Sequence, residues 1–129
     1  MKIIELELRT ARLAEMKEFY TERLGFALAD ITKHSITIVV GETRLTFIQE
    51  EEEGVLPSYH LAMNIPENQI REAKSWLQAK GCEVLSAAPL PFAGIQANED
   101  IAYFEGTDAH AFYFEDPSGN LLEFIARHR

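Results

Sequence analysis

The chemistry of this chain is expected to centre on Glu123, a carboxylate within the otherwise apolar residues 121–126. The preceding residues 116–120 contain Pro, Gly and Asn, which favour tight turns, so the end of the chain predicts a β-hairpin. An ionised carboxylate in an apolar strand is costly unless another group pairs with it. Glu123 is therefore a candidate functional residue whose partner has to come from elsewhere in the chain.

Two further side chains with suitable chemistry lie near the start of regularly alternating segments. Residues 59–65 place apolar side chains on one face and His60 on the other, and residues 2–9 place Glu5 opposite their apolar face. Imidazole and carboxylate groups are ligands that divalent metals accept. The pattern therefore suggests a metal site formed by Glu5, His60 and Glu123.

An internal repeat puts these candidates at related positions. Each half of the chain reads as a strand, a helix and three more strands, and an acidic run at residues 50–53 joins the halves. The segments Leu45-Thr-Phe-Ile48 and Leu122-Glu-Phe-Ile125 differ only in that Thr46 stands where Glu123 does. A sheet that packs helices on one face leaves its other face for a ligand. We therefore predict an α+β fold with helices on the outer face: one domain of tandem βαβββ modules, about residues 1–50 and 58–127, forming a cupped, mostly antiparallel sheet.

Local signals place the other elements. Helices are predicted over residues 13–24 and 66–80, with Thr10 as the N-cap of the first and a glycine after each, Gly25 and Gly81. Residues 82–86 predict a short strand. Residues 87–98 predict a long connection, the best candidate for a lid or a partner contact. His110 is either a general base near the cup or, as we prefer, a solvent-facing histidine at the end of a hairpin.

The composition limits the classes of partner. The chain has 129 residues, of which 47% are hydrophobic, and this suits one domain with a substantial core. Its 12 basic and 21 acidic residues give a net charge of −9, which argues against nucleic acid or an anionic membrane as the main partner. The single cysteine excludes an intramolecular disulfide. With no recognisable leader and no long apolar run, we expect a cytoplasmic protein.

Three stretches make the whole chain resemble the vicinal oxygen chelate superfamily, which includes glyoxalase I, bleomycin-resistance proteins, fosfomycin-resistance enzymes and extradiol dioxygenases. The most specific is residues 115–124, Glu-Asp-Pro-Ser-Gly-Asn-Leu-Leu-Glu-Phe. The other two are Phe19-Tyr20 with Leu24-Gly25-Phe26, and Tyr59-His60-Leu61-Ala62.

The resemblance implies a divalent metal held by the first and last strands of each module. His60 and Glu123 match the usual ligands of the second module, and Glu5 stands where the family usually has His or Gln. Thr46 stands at the fourth ligand position, which is Glu in glyoxalase I, and Arg9 stands where glyoxalase I has an arginine that contacts glutathione. Thr46 and Arg9 are therefore expected to contact substrate, with Glu123 as ligand and catalytic base. The implied metal is Mn²⁺, Zn²⁺, Ni²⁺ or Fe²⁺, with Mg²⁺ also compatible with these ligands.

Two functions remain open at this level. The first is a metal-dependent enzyme acting on a small oxygenated substrate, with isomerase, lyase, transferase or dioxygenase chemistry. The missing fourth ligand disfavours glyoxalase I, and Glu5 in place of a histidine disfavours an extradiol dioxygenase. The alternative is a metal-free protein that sequesters a cationic, antibiotic-like ligand, as bleomycin-resistance proteins do. In both cases the resemblance implies a homodimer.

Overall fold

The computed structural model describes residues 1–51, 56–86, 95–98 and 100–127. The chain divides into two compact units. The first comprises Met1–Ser58 together with Asp116–Gly119, and the second comprises Tyr59–Glu115 together with Asn120–Arg129. Among the described residues, neither helix is long and apolar enough to cross a membrane.

The first unit contains a four-stranded sheet and one helix. Strand β1 (Glu5–Thr10) leads into helix α1 (Leu13–Lys17), which continues as a wider π-helical segment (Glu18–Arg23). Strands β2 (Ala27–Ile31), β3 (Ser35–Val40) and β4 (Thr43–Gln49) follow. The strand order is β1-β4-β3-β2, with β1 parallel to β4 and the other pairs antiparallel.

The second unit repeats this plan with one additional strand. Strand β5 (His60–Asn64), a 3₁₀ turn (Glu67–Gln69) and helix α2 (Ile70–Ala79) come first. Strands β6 (Ile95–Asn98), β7 (Ile101–Phe104), β8 (Ala109–Glu115) and β9 (Leu121–Arg127) complete the sheet. The order is β5-β9-β8-β7-β6, and only the β5–β9 pair is parallel. Both sheets are open, which confirms the predicted α+β class.

The repeat extends to the register of the strands. In the first sheet Thr46 lies beside Glu7 of the neighbouring parallel strand, and in the second Glu123 lies beside Ala62. The two four-residue segments that suggested a duplication therefore occupy equivalent places in the two sheets. Side-chain alternation along matched strands then puts Glu5 and His60 at equivalent places too.

Each unit has a core between its helix and one face of its sheet. In the first unit the buried side chains follow the helical and strand periodicities that the sequence showed: Met16, Phe19, Tyr20, Leu24, Ile36, Ile38, Leu45 and Phe47. In the second unit Leu77 of α2 is buried, as are Phe112, Phe114, Leu122 and Phe124 of the sheet. Gly25 and Gly81 have φ of +75° and +82°, as expected of residues that end helices.

Two predictions about local structure are wrong. Thr10 is the last residue of β1 and not a helix N-cap: its hydroxyl accepts a hydrogen bond from the amide of Arg12, the residue that precedes α1. Residues 82–86 form no strand, because within the described part of the chain a single backbone bond, from the amide of Leu85 to the carbonyl of Tyr113 on β8, ties them to the sheet. The additional strand is β6 instead, within the predicted connection 87–98. Residues 87–94 of that connection, and residues 52–53 of the acidic run, lie outside the described part of the chain.

Candidate active site

Glu123 lies on β9, on the face of the second sheet opposite the side chains that pack beneath α2. Leu122 and Phe124, its neighbours in sequence, belong to the apolar core, so strand alternation turns Glu123 to the other face. Its exposure is only 6%. A carboxylate buried this deeply needs hydrogen-bonding partners, and the structure supplies two of them.

His60 is the first partner. Its Nε2 atom lies 2.8 Å from Oε1 of Glu123, a hydrogen bond when the imidazole is neutral and an ion pair when it is protonated. Ala62, the residue directly beside Glu123 on β5, is too small to separate them. The side chain of His60 is 53% exposed, so the pair joins a buried oxygen to an imidazole that solvent and small molecules can reach.

Tyr113 is the second partner, and the sequence analysis missed it. It faces Glu123 directly across the β8–β9 hairpin, and its ring centroid lies 6.4 Å from that of His60. Burial, together with the charge of Glu123 and a hydrogen bond to it, raises the pKa of Tyr113 to about 12. The hydroxyl therefore stays protonated at neutral pH and donates to the carboxylate. The signal was available, because counting outward from the predicted turn pairs residue 113 with residue 123.

The other predicted site residues lie in the first unit. Glu5, the predicted third ligand, is exposed on β1 beside Arg44. Thr46 is buried, and its hydroxyl lies 2.7 Å from that of Thr37. Arg9 forms an ion pair with Glu50. The structure thus brings two of the three predicted ligands, His60 and Glu123, into direct contact within one unit.

The His60–Glu123 pair fits a divalent metal in donor type and spacing. Two octahedral ligands, each about 2.1 Å from one ion, are roughly 3 Å apart, close to the observed 2.8 Å. The hydrogen bond from Tyr113 is the kind of contact that orients a ligating carboxylate. Across the described residues, no group of three or more His, Cys, Asp or Glu side chains is arranged to hold a metal ion. The observed site is therefore a hydrogen-bonded His60–Glu123 pair with a supporting tyrosine.

His110, considered above as a base near the cup, faces the other way. It pairs with Ala126, whereas Tyr113 pairs with Glu123. The two positions are three residues apart on each strand, and because successive side chains alternate between faces, an odd spacing puts these side chains on opposite faces of the sheet. His110 is half-buried on the face that packs against α2, and it belongs to neither of the environments considered from the sequence.

Solved structures of other proteins are similar to this chain over almost its whole length. An integron cassette protein from the mobile metagenome of the Halifax Harbour sewage outfall is 24% identical over 97% of both chains, with a TM-score of 0.75. Lactoylglutathione lyase from Agrobacterium tumefaciens is 15% identical over 97% of this chain and 92% of its own, with a TM-score of 0.73. A glyoxalase/bleomycin resistance protein/dioxygenase from Nocardioides is 21% identical over 98% of this chain and 83% of its own, with a TM-score of 0.72.

At these identities the solved structures establish the fold alone. A search of curated proteins gave no significant match. The family model for the Glyoxalase/Bleomycin resistance protein/Dioxygenase superfamily matches residues 2–124, nearly the full length of the sequence. Together with the paired modules described above, this match shows that the chain belongs to the Glyoxalase/Bleomycin resistance protein/Dioxygenase superfamily.

Proposed function

We propose that this protein is a divalent-metal-dependent enzyme that acts on a small oxygenated substrate, with Glu5, His60 and Glu123 as its protein ligands. The observation that carries the proposal is the contact between the buried carboxylate of Glu123 and the accessible imidazole of His60. This contact stabilises the buried carboxylate and at the same time leaves the imidazole open to solvent and to small ligands. Its nitrogen and oxygen atoms are as far apart as two ligands of one metal ion, which supports a role in metal binding.

The metal, when bound, supplies Lewis-acid stabilisation of negative charge on substrate oxygens. The side chains of the protein contribute proton transfer, the positioning of the carboxylate and access for the substrate. Glu123 is the base that accepts a proton from a bound substrate, and Tyr113 holds its carboxylate in place through the hydroxyl proton that it retains. His60 lies at the solvent-accessible side of the pair, where substrate enters. Isomerase, lyase, transferase and dioxygenase reactions all fit this assignment.

Further elements of the proposal come from superfamily membership. Arg9 and Thr46 are assigned to substrate contacts, and the protein is expected to be a cytoplasmic homodimer. The preferred ions are Mn²⁺, Zn²⁺, Ni²⁺ and Fe²⁺, because imidazole and carboxylate ligands together suit this group. Light scattering on the purified protein, with and without Mn²⁺, tests the dimer.

Metal titration by calorimetry tests the central assignment. Glu123→Gln keeps the size of the side chain but removes its charge, and we expect it to weaken Mn²⁺ or Zn²⁺ binding by at least about 100-fold. Tyr113→Phe removes only the supporting hydrogen bond and should weaken binding about tenfold. Glu5→Gln should weaken binding as well, with Glu7→Gln, two positions along the same strand, as the matched control.

Full metal occupancy in Glu123→Gln would contradict the assignment of Glu123 as a metal ligand. The absence of metal binding in the wild-type protein, combined with binding of a cationic drug-like molecule, would decide for the metal-free alternative. A loss that is equal in Glu5→Gln and Glu7→Gln would remove Glu5 alone from the ligand set.

A further inference from the structure

Asn120 is a buried polar residue close to the His60–Glu123 pair, and nothing described so far uses its side chain. It immediately precedes β9 and is only 1% exposed. A buried amide side chain needs hydrogen-bonding partners, and its Oδ1 atom accepts a 2.9 Å bond from the backbone amide of Tyr59. Tyr59 directly precedes His60 in the chain. Asn120 therefore holds the backbone of the segment that carries His60.

The start of β5 needs an acceptor at this point. β5 begins at His60, and among the described strands it pairs only with β9. Backbone bonds in a parallel pair are evenly spaced, and the first of them runs from the amide of Leu121 to the carbonyl of Tyr59, at 2.8 Å. The next bond would need a carbonyl from the residue before β9, but the chain turns there at Gly119, whose φ is +79°. The side-chain oxygen of Asn120 takes the place of that carbonyl.

Local turn preference does not explain why residue 120 is asparagine. Asparagine is common in turns because it tolerates a left-handed backbone and bonds to nearby amides. The described non-glycine residues with positive φ are Asp100 and Asp108, so Asn120 is not one of them. Its bond to Tyr59 joins positions 61 residues apart in sequence. The residue type is therefore explained by the contact with the segment before β5.

This contact controls how His60 meets Glu123. With its amide bound to Asn120 and its carbonyl bound to β9, Tyr59 has little freedom to rotate the peptide that joins it to His60. The imidazole is 53% exposed, so packing does little to fix it, and its position 2.8 Å from Glu123 depends on the backbone beneath it. We propose that Asn120 is a positioning residue whose side-chain oxygen orients His60 towards Glu123. The consequence for metal affinity rests on the proposed function, whereas the orientation itself is a property of the metal-free protein.

NMR of the metal-free protein tests the orientation directly. Asn120→Ala removes the acceptor, so the Tyr59 amide should exchange with solvent at least about tenfold faster than in the wild-type protein. The nuclear Overhauser contact between the rings of His60 and Tyr113, whose centroids lie 6.4 Å apart, should be lost in the same variant. Asn120→Asp keeps an oxygen at the accepting position and should preserve both the slow exchange and the ring contact.

Metal titration by calorimetry tests the consequence for the site. Asn120→Ala should weaken Mn²⁺ binding about tenfold, as expected when a residue that orients a ligand is lost. Thr37→Val is the control, because it removes a buried hydrogen bond of the first unit and should leave Mn²⁺ affinity unchanged. Urea denaturation of each variant verifies that it is folded under the conditions of the titration. Asn120→Ser, with a side chain too short to reach Tyr59, replaces Asn120→Ala if that variant does not fold.

Three results would overturn the proposal. The first is slow exchange of the Tyr59 amide or an intact ring contact in folded Asn120→Ala, which would leave Asn120 as a turn residue alone. The second is exchange as fast in Asn120→Asp as in Asn120→Ala. The third is an equal loss of Mn²⁺ affinity in Thr37→Val. A wild-type protein that binds no metal would count against the proposed function instead, because the two NMR measurements still decide whether Asn120 orients His60.

Discussion

Two tyrosine–carboxylate pairs, one in each unit, use the same groups in opposite ways. In the first unit the Tyr20 hydroxyl donates a 2.7 Å hydrogen bond to Asp116, and these residues are only 0% and 5% exposed. In the second unit Tyr113 donates to Glu123, which also contacts the accessible imidazole of His60. The Tyr20–Asp116 pair, which we call the closed pair, is buried and has no route to a ligand. The Tyr113–Glu123 pair, which we call the open pair, can be reached through His60. Accessibility, more than the presence of a buried carboxylate, distinguishes the candidate functional pair.

The equivalent strands of the two sheets sharpen this contrast. Thr37 and Thr46 occupy the same paired positions in the first sheet as Tyr113 and Glu123 do in the second. The threonine hydroxyls bond to each other at 2.7 Å and carry no charge. One register therefore holds a hydrogen bond between two hydroxyls in the first module and a tyrosine–carboxylate pair with an accessible histidine in the second. The fold specifies the position, and the residue type specifies the chemistry.

The largest effect on stability is expected from the closed pair. Tyr20→Phe leaves the buried Asp116 carboxylate without its phenolic donor, although the amide of Ser118 still donates to it. We expect a loss of about 2 kcal/mol in the free energy of unfolding, measured by urea denaturation. Tyr113→Phe is the matched variant, with an expected loss of about 1 kcal/mol because Glu123 retains His60. A larger loss in Tyr113→Phe would contradict the contrast between closed and open pairs.

The hydroxyls of Tyr20 and Tyr113 should lose their protons only at high pH. Burial raises the pKa of Tyr20 far above its usual range, with Asp116 adding to the effect, and the pKa of Tyr113 rises to about 12. A raised pKa means that the folded state keeps a proton that the unfolded state loses. The contribution of Tyr113 to stability is complete below pH 10.0, the pKa of an unperturbed tyrosine, and disappears as the pH rises towards about 12.

Phenolate absorbance of the metal-free protein measures this directly. The wild-type protein should show an ionisation near pH 12 that is missing in Tyr113→Phe, whereas Tyr20 should ionise only as the protein unfolds. Ionisation of every tyrosine at its ordinary pKa in the folded protein would show that neither hydroxyl is held by its carboxylate.

For the neutral Thr37–Thr46 pair we expect effects no larger than that of Tyr113→Phe. Thr46→Val and Thr37→Val each leave one buried hydroxyl without its partner and should cost about 1 kcal/mol of unfolding free energy. The double variant removes both hydroxyls, so it should lose less than the sum of the two single variants. Strictly additive losses in chemical denaturation would mean that the two hydroxyls do not depend on each other.

Much of the candidate site could be predicted because it depends on local pattern. The alternation of residues 59–65 was enough to place His60 on the face away from the core, and the paired Leu-Thr-Phe-Ile and Leu-Glu-Phe-Ile segments identified Glu123 by contrast. Tyr113 could have been found from the hairpin register. The strand β6 could not, because it depends on which segment pairs with the edge of the sheet, and the half-burial of His110 could not, because it depends on packing against α2.

The sequence by itself determined the repeat, the helix ends at Gly25 and Gly81, and the faces on which His60 and Glu123 lie. These features follow from backbone preferences and periodicity within a few residues. Only the tertiary structure decided that Tyr20 meets Asp116, 96 residues away, and that Glu123 is buried with one accessible partner. Such contacts depend on packing between distant segments, and no local pattern encodes their distance or their exposure.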